Sequence, residues 1–249
     1  MGALDHIKVI DFGHYIAGPL AGMLLADQGA DVIKVDPPGG PRWDSPANAT
    51  WNRGKRSITL DLKIPADLQT AKSLMATADV VVENFRPGVM EKLGLGNKQA
   101  LIDNPRLIYC SIPGFANDDD RSGIQAYEGI LGASAGTYRP MSSSGGKPVY
   151  TAVPIASTYG AFQSVVAITM ALNARERDGV GQYIEMPLFD SMFQSIGHHG
   201  LRVHNAPPTG PTLGDLWGGI YRCTDGEWVR FGGPGNQNFR PFVELEGIT

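Results

Sequence analysis

The sequence has few cysteines, no excess of positive charge and no long uninterrupted apolar run. Its two cysteines, Cys110 and Cys223, exclude a disulfide-stabilised scaffold and favour a reducing, cytoplasmic setting. A net charge of −4 argues against nucleic acid or an anionic membrane as the main partner. No stretch free of polar residues approaches the roughly 20 residues that span a bilayer. These absences predict a cytoplasmic protein without a membrane segment.

Short apolar strands alternate with helical segments through the first half of the chain. With 249 residues, 42% of them hydrophobic, the chain can bury a large core. Strands are predicted at 7–12, 31–35, 58–62, 79–83 and 107–112, and helices at 17–28 and 66–77. Repeated strand–helix–strand units of this kind predict an α/β fold with a doubly wound, mostly parallel sheet.

Two segments near the strand ends are candidates for ligand binding. The loop 13–19 places small residues where the first strand meets a helix, which is the usual ligand crevice of open parallel sheets. The loop does not match GxGxxG, and Pro37 and Pro38 beside Asp36 favour a turn, so a dinucleotide site is disfavoured. The basic segment 52–57 is compatible with a solvated turn or with an anion site, and the sequence leaves both open.

The segment 153–172 contains no charged residue. It is predicted to form one helix that is apolar nearly all round. Pro154 favours an extended entry, and Ser157 or Thr158 is placed to cap the helix N-terminus. We expect this helix to be buried between layers, with the positive end of its dipole directed at a cavity. A group at Ser157 would then face the chemistry.

Three other features of the sequence do not predict a functional site. His198, His199 and His204 lack a supporting Cys or carboxylate pattern, so no metal site is predicted. Cys110 lies in a predicted strand and is interpreted as a core residue. Asp225 and Gly226 favour a tight turn between two short strands.

Five ordered motifs carry a resemblance to a known family. They read HYIAGPLAGMLLADQGADVIKVDPPGG, NRGKRSITLDLK, ADVVVENFRPGVMEKLGLG, NPRLIYCSIPGF and GVGQYIEMPLFDSM. Together they resemble the family III CoA-transferases, the CaiB/BaiF group. The resemblance implies a Rossmann-like large domain at 1–205, then a linker and the incomplete start of a small domain at 206–249. It also implies an interlocked dimer of two subunits, or a heteromer with a related subunit, and the chain is short for the family.

The resemblance also implies where coenzyme A, present as an acyl-CoA substrate, would bind. Adenine would lie beside Leu60 and Lys63 and beside Asn84 and Phe85, and the loop from His14 would line the pantetheine path. The full set of implied CoA-binding residues is His14, Ile16, Ala17, Leu60, Lys63, Asn84, Phe85, Arg86 and Lys92. The aromatic face of Phe85 and the cations suit a nucleotide that carries several phosphate charges.

The sequence departs from the family at its nucleophile. Transferases of this group use an aspartate that attacks the acyl-CoA thioester, and Ser157 stands at that position. The spacing to Gly160 allows Ala156 or Thr158 to hold the position instead, and none of the three is acidic. The resemblance therefore implies a transferase that moves CoA between an acyl-CoA and a carboxylic acid with an altered nucleophile. The alternative is a noncatalytic CoA-binding subunit or pseudoenzyme that pairs with an active relative. Racemase chemistry is disfavoured because its acid–base pair is missing.

Overall fold

The computed structural model describes residues 2–43, 45–138, 147–196 and 220–230. The strands are β1 (Lys8–Asp11), β2 (Asp31–Asp36), β3 (Arg56–Thr59), β4 (Val80–Glu83), β5 (Ile108–Ser111), β6 (Gln182–Glu185), β7 (Ile220–Arg222) and β8 (Trp228–Arg230). The helices are α1 (Ala17–Asp27), α2 (Pro46–Trp51), α3 (Pro65–Ala76), α4 (Val89–Lys92), α5 (Asn97–Asp103), α6 (Glu128–Ala135), α7 (Ile155–Asp178) and α8 (Leu188–Ile196). The predicted strands and the two predicted helices are present, with ends that differ by at most three residues.

Six strands form one parallel sheet in the order β3-β2-β1-β4-β5-β6. The chain moves outward from β1 to β3, returns to β4 beside β1, and then moves outward on the other side. The strand order therefore reverses between β1 and β4, and the loops that follow these two strands diverge there. Ligands of open α/β sheets bind in the crevice at such a switch point. The predicted doubly wound α/β fold is confirmed.

Side chains that alternate along the strands divide the core between the two faces of the sheet. Val9 and Val82 belong to one cluster, with α1, α6, α7 and α8, whereas Ile10 and Val81 belong to the other, with α3, α4 and α5. A strand buried on both faces needs apolar residues at successive positions, which is why β4 reads as a continuous valine run.

Helix α7 runs antiparallel to the strands. Arg175, in its last turn, donates to the carbonyl of Arg106 and pairs with Asp79 at the amino ends of β5 and β4. Near its other end, Gly160 packs beside Ile112, which follows β5. The N-terminus of α7 therefore lies at the carboxyl edge of the sheet, the same edge as the switch point.

The prediction that α7 is buried nearly all round is wrong. Tyr159, Phe162, Val166 and Met170 lie on one face and are between 47% and 68% exposed. By length and composition α7 also qualifies as a candidate membrane span, with 39% of its most apolar window buried. Its packing against α1, α8 and β5 is that of a core helix, and core helices meet the same two criteria.

The chain divides into two compact units, 1–137 with 151–200, and 138–150 with 201–249. In the second unit, β7 and β8 pair antiparallel around Asp225 and Gly226, and Gly226 has a φ of 93°. This confirms the predicted hairpin. The three histidines at 198, 199 and 204 and the predicted boundary at 205/206 lie outside the described residues, so that boundary stays a prediction.

Candidate functional site

The loops after β1 and β4 are joined by one amide. The Asn84 side chain accepts a hydrogen bond from the His14 backbone N–H at 2.7 Å and donates one to the His14 carbonyl at 2.9 Å. The His14 ring meets the edge of Phe85, with 4.9 Å between ring centroids. We call residues 13–18 and 84–88 the switch-point crevice. The sequence therefore identified three residues that the fold brings together, but it did not show that the Asn84 amide is used to hold a loop.

Close backbone contact explains the small residues in this loop. A Cβ added to Gly18 would lie 2.6 Å from the Gly13 Cα, so neither position has room for a side chain. Tyr15 between them has a φ of 61°, an unfavourable conformation for a bulky residue. Strained residues of this kind cluster at functional sites when the surroundings hold them in place.

A buried ion pair supports the crevice from below. The Lys55 ammonium lies 2.8 Å from Asp11 Oδ2 and also donates to the Pro19 carbonyl, while Asp11 Oδ1 accepts from the Gly13 N–H. Both charged side chains are essentially inaccessible to solvent, at 1% and 0% exposed. Burial alone would raise the pKa of Asp11, but the charges of Lys55 and Lys34 hold it below its ordinary value.

The basic segment 52–57 is an exposed turn before β3, except at Lys55. Lys55 is buried, and Arg53 and Arg56 each pair with an aspartate, Asp27 and Asp31. The solvated turn describes the exposed Arg53 and Arg56, whereas both interpretations are wrong for the buried Lys55. Their partners are at least 25 residues away along the chain, so the local sequence gives no sign of them.

A second group of contacts, which we call the acid corner, lies at the start of α7. Glu128, the first residue of α6, accepts hydrogen bonds from the backbone N–H of Ala156 at 3.2 Å and of Ser157 at 2.7 Å. Ser157 is the third residue of α7, and no side chain caps the helix from its N-cap residue, Pro154. The prediction that Ser157 or Thr158 caps this helix is wrong, because a carboxylate from another helix satisfies the free N–H groups.

The acid corner adjoins the switch-point crevice. Tyr15 meets Tyr127 edge to face with 6.4 Å between ring centroids, and Tyr127 directly precedes Glu128. A chain of contacts therefore runs from the crevice loop through two tyrosines to Ser157, which is 9% exposed. The residue at the predicted nucleophile position thus lies at the same edge as the crevice.

The other implied CoA-binding residues occupy different environments. Leu60 and Ala17 are buried core residues, so their side chains are not available to a ligand. Ile16 is partly buried at the start of α1. Exposed cations complete the set: Lys63 follows β3, whereas Arg86 and Lys92 follow β4. Sequence reasoning missed Arg42, whose charge acts on the His14 ring from the loop after β2.

Two titratable groups at the crevice have shifted pKa values. Burial, with the charges of Lys34 and Arg42, lowers the pKa of His14 to about 4, so the ring is neutral at pH 7. Burial raises the pKa of Glu83 to about 7, although its carboxylate accepts a hydrogen bond from the Phe85 N–H at 2.8 Å. Each shift keeps its group uncharged over a wider pH range than in water.

These shifts predict opposite pH dependences of stability. For His14 the unfolded chain binds more protons between pH 4 and 6.5, so stability is complete above pH 6.5 and is lost as pH falls, by up to about 3 kcal/mol. For Glu83 stability is complete below pH 4.5 and is lost as pH rises through 7. Changing His14→Gln should therefore make stability fall as pH rises from 4.5 to 7, as measured by urea unfolding.

The control for this prediction is His6→Gln, because that side chain is 69% exposed. It should keep the pH dependence of the unchanged protein. Identical pH profiles for the two variants would show that His14 is not held neutral by its surroundings.

Comparison with known proteins identifies relatives over most of the chain. The family model for CoA-transferase family III matches residues 4–248. The succinyl-CoA:mesaconate CoA-transferase of Haloarcula hispanica is 39% identical over 77% of the chain and 53% of its own length. The succinate–glutarate CoA-transferase of Agrobacterium fabrum is 38% identical over 82% of the chain and 56% of its own length. For the CoA-transferase/lyase DddD of a Marinomonas species, 39% identical over 84% of the chain, the match covers only 26% of the relative.

Two solved structures show the same family relationship. The protein Rv3272 of Mycobacterium tuberculosis superposes with a TM-score of 0.82 at 31% identity, covering 99% of this chain and 69% of that one. A CaiB/BaiF family protein of Brucella suis superposes with a TM-score of 0.78 at 32% identity, covering 99% and 70%. The chain thus spans about half the length of the curated transferases it matches and about 70% of these structures. The fold, the ordered motifs and the family match together show that this chain belongs to CoA-transferase family III.

Proposed function

We propose that this chain binds an acyl-CoA in the switch-point crevice and takes part in moving CoA from it to a carboxylic acid. The observation that carries the proposal is the contact path from the crevice loop to the acid corner. The path joins the crevice loop to a carboxylate at the same edge of the sheet, which supports the proposal because thioester exchange requires a carboxylate beside the bound thioester. The named relatives act on succinyl-CoA, mesaconate, succinate and glutarate, which makes dicarboxylic acids the first acceptors to test.

The crevice suits the chemistry of CoA. The crevice loop leads into the start of α1, where helix N–H groups and the helix dipole favour phosphate. Arg42 and Arg86 are exposed cations on the loops that follow β2 and β4. Phe85 adds an apolar face for adenine, and the His14 ring beside it is neutral at pH 7.

Direct measurement of exchange tests this function. The purified chain would be incubated with succinyl-CoA and a panel of ¹³C-labelled acids, including glutarate, mesaconate and oxalate, and the CoA esters followed by mass spectrometry. We expect label to enter a new CoA thioester without net hydrolysis. Binding of CoA without exchange on any acid would reject catalytic transfer by the chain alone.

That rejection would favour a second function, a noncatalytic CoA-binding subunit of a heteromer. The observation behind it is that residues 156–158 of α7 are Ala, Ser and Thr, so the family nucleophile position carries no acid. Mixing the chain with a longer relative that carries the aspartate should then raise that relative's exchange rate. Full activity of this chain as a homomer would exclude the subunit hypothesis.

The exposed face of α7 supports the proposal that two copies of the chain associate. Tyr159, Phe162, Val166 and Met170 form what we call the α7 stripe, four large apolar side chains on one helix face. Contiguous apolar patches of this kind mark protein interfaces. The stripe begins at the end of α7 that carries the acid corner, so a second copy seated on it would lie next to the proposed site.

Charged residues in the α7 stripe should disrupt this association. Changing Phe162→Glu together with Val166→Glu would bury two carboxylates in an apolar interface, so we expect a monomer by light scattering after size exclusion. The control is Ile102→Glu, because Ile102 is 70% exposed on α5, on the opposite face of the sheet. A dimer that survives the double change would place the interface elsewhere.

A further inference from the structure

Lys34 is a buried lysine whose ammonium lies among backbone oxygens at the ends of β1 and β2. Its side chain is 4% exposed. The ammonium donates to the Gly13 carbonyl at 2.6 Å and to the Val35 carbonyl at 3.2 Å, and it lies 3.5 Å from the Asp11 carbonyl oxygen. A cation is costly to bury, and an apolar side chain would fill this space at lower cost. The backbone contacts of Lys34 therefore explain its presence better than packing does.

The contact with Gly13 fixes the start of the crevice loop. The Asp11 carboxylate accepts from the Gly13 N–H at 2.7 Å, and Lys34 donates to the carbonyl of the same residue. Both peptide groups that flank the Gly13 Cα are thus bonded to buried charged side chains. Two residues further on, Tyr15 has a φ of 61°, a conformation that persists only where its surroundings hold it.

The same ammonium also reaches the end of β2. It lies 3.6 Å from Oδ1 of Asp36, the last residue of that strand. The loop that follows Asp36 carries Arg42, whose charge acts on the His14 ring. Lys34 therefore links the loop after β1, which carries His14, to the strand end that leads to Arg42.

The charge of Lys34 acts on the crevice as well. Burial of the ring is the main cause that lowers the pKa of His14 to about 4, and the charge of Lys34 lowers it further. Removing the ammonium should therefore raise the pKa of His14. This effect gives Lys34 a spectroscopic readout inside the crevice.

We propose that Lys34 is a positioning residue for acyl-CoA binding; this rests on the proposed function. Its side chain is too deeply buried to contact the ligand. It acts through the Gly13 carbonyl and the end of β2, which it holds so that the crevice loop meets the nucleotide in one arrangement. A loop that is ordered before binding lowers the entropic cost of binding, so Lys34 sets the affinity for CoA without taking part in the chemistry.

Binding of CoA to the purified full chain, measured by isothermal titration calorimetry, tests this role. The variant is Lys34→Met, which keeps an unbranched stem and removes the ammonium. We expect the Kd for CoA to rise at least about tenfold, because the loop must then be ordered at the expense of binding. Amide hydrogen exchange at residues 13–18 should quicken, and the pKa of His14 in an NMR titration should rise.

The matched control is Arg175→Met, because Arg175 is also a buried cation with a carboxylate and a backbone carbonyl as partners. Its side chain is 4% exposed, and it pairs with Asp79 at 2.9 Å and donates to the Arg106 carbonyl at 3.2 Å, at the opposite edge of the sheet. This variant should lose stability but bind CoA within about twofold of the unchanged chain. Equal weakening of CoA binding in the two variants, or unchanged binding in Lys34→Met, would overturn the positioning role.

A measurement on the unchanged chain decides the case if Lys34→Met does not fold. With ¹⁵N-lysine labelling, the NMR signal of the Lys34 ammonium should shift when CoA is added, whereas that of Lys98, which is exposed on α5, should not. A Lys34 signal that stays in place at saturating CoA overturns the positioning role and leaves the proposed function standing. A chain that binds no CoA overturns the proposed function and this role with it.

Discussion

Changing Ser157→Asp is expected to raise CoA exchange by at least about 100-fold, because it supplies an acid at the position where the family resemblance places the nucleophile. The positive end of the 24-residue helix α7 stabilises a carboxylate at that place. Glu128 already places a carboxylate oxygen 2.7 Å from the Ser157 backbone N. The measurement is transfer of CoA from succinyl-CoA to ¹³C-glutarate by the Ser157→Asp variant.

Two control variants accompany this measurement. Ser157→Asn has nearly the same shape without a nucleophilic carboxylate, and it should not raise exchange. Ser157→Asp combined with Glu128→Gln removes the neighbouring carboxylate, whose negative charge raises the pKa of the introduced acid, so the gain should be larger than with Ser157→Asp alone. A folded Ser157→Asp variant that binds CoA and exchanges no faster than the unchanged chain would show that the acid corner is not the reacting centre.

Removing one partner of the buried ion pair is expected to give the largest loss of stability. Asp11→Asn leaves the Lys55 ammonium buried without its counterion, and breaking such a pair costs about 3–5 kcal/mol. Asp11 also holds the Gly13 N–H at 2.7 Å, so the crevice loop loses its anchor as well. The measurement is the free energy of unfolding in urea at pH 7.

The control is Asp27→Asn, which removes the acid of the Arg53 pair on the surface. That arginine side chain is 52% exposed, and exposed pairs contribute at most about 1 kcal/mol. A second comparison is Asp11→Asn with Lys55→Met, which removes both charges and should recover part of the loss. Equal losses for Asp11→Asn and Asp27→Asn would contradict the role assigned to the buried pair.

Much of the fold was predictable because strands buried on both faces are apolar without interruption. The valine run of β4 and the apolar segment of β1 show this, and the glycines of the loop between β1 and α1 indicate close backbone contact. The crevice residues His14, Asn84 and Phe85 were also predicted, through the family resemblance. Their mutual contacts were not, since the Asn84 hydrogen bonds join residues 70 positions apart.

Prediction from the sequence failed for residues whose environment depends on partners that lie far away along the chain. Lys55 looked like part of a surface patch because its partner, Asp11, lies 44 residues away. Ser157 looked like a helix cap because nothing local reveals that Glu128 fills that role from another helix. The α7 stripe was predicted to be part of the core. The sequence does not distinguish an apolar residue that faces a partner from one that faces the interior.

The most direct test of the central claim is a crystal structure of the full chain with bound CoA. We expect the nucleotide in the switch-point crevice, with Phe85 beside adenine and the thiol directed along residues 14–18 toward Glu128 and Ser157. Density for CoA at another edge of the sheet, or a thiol directed away from the acid corner, would contradict the account.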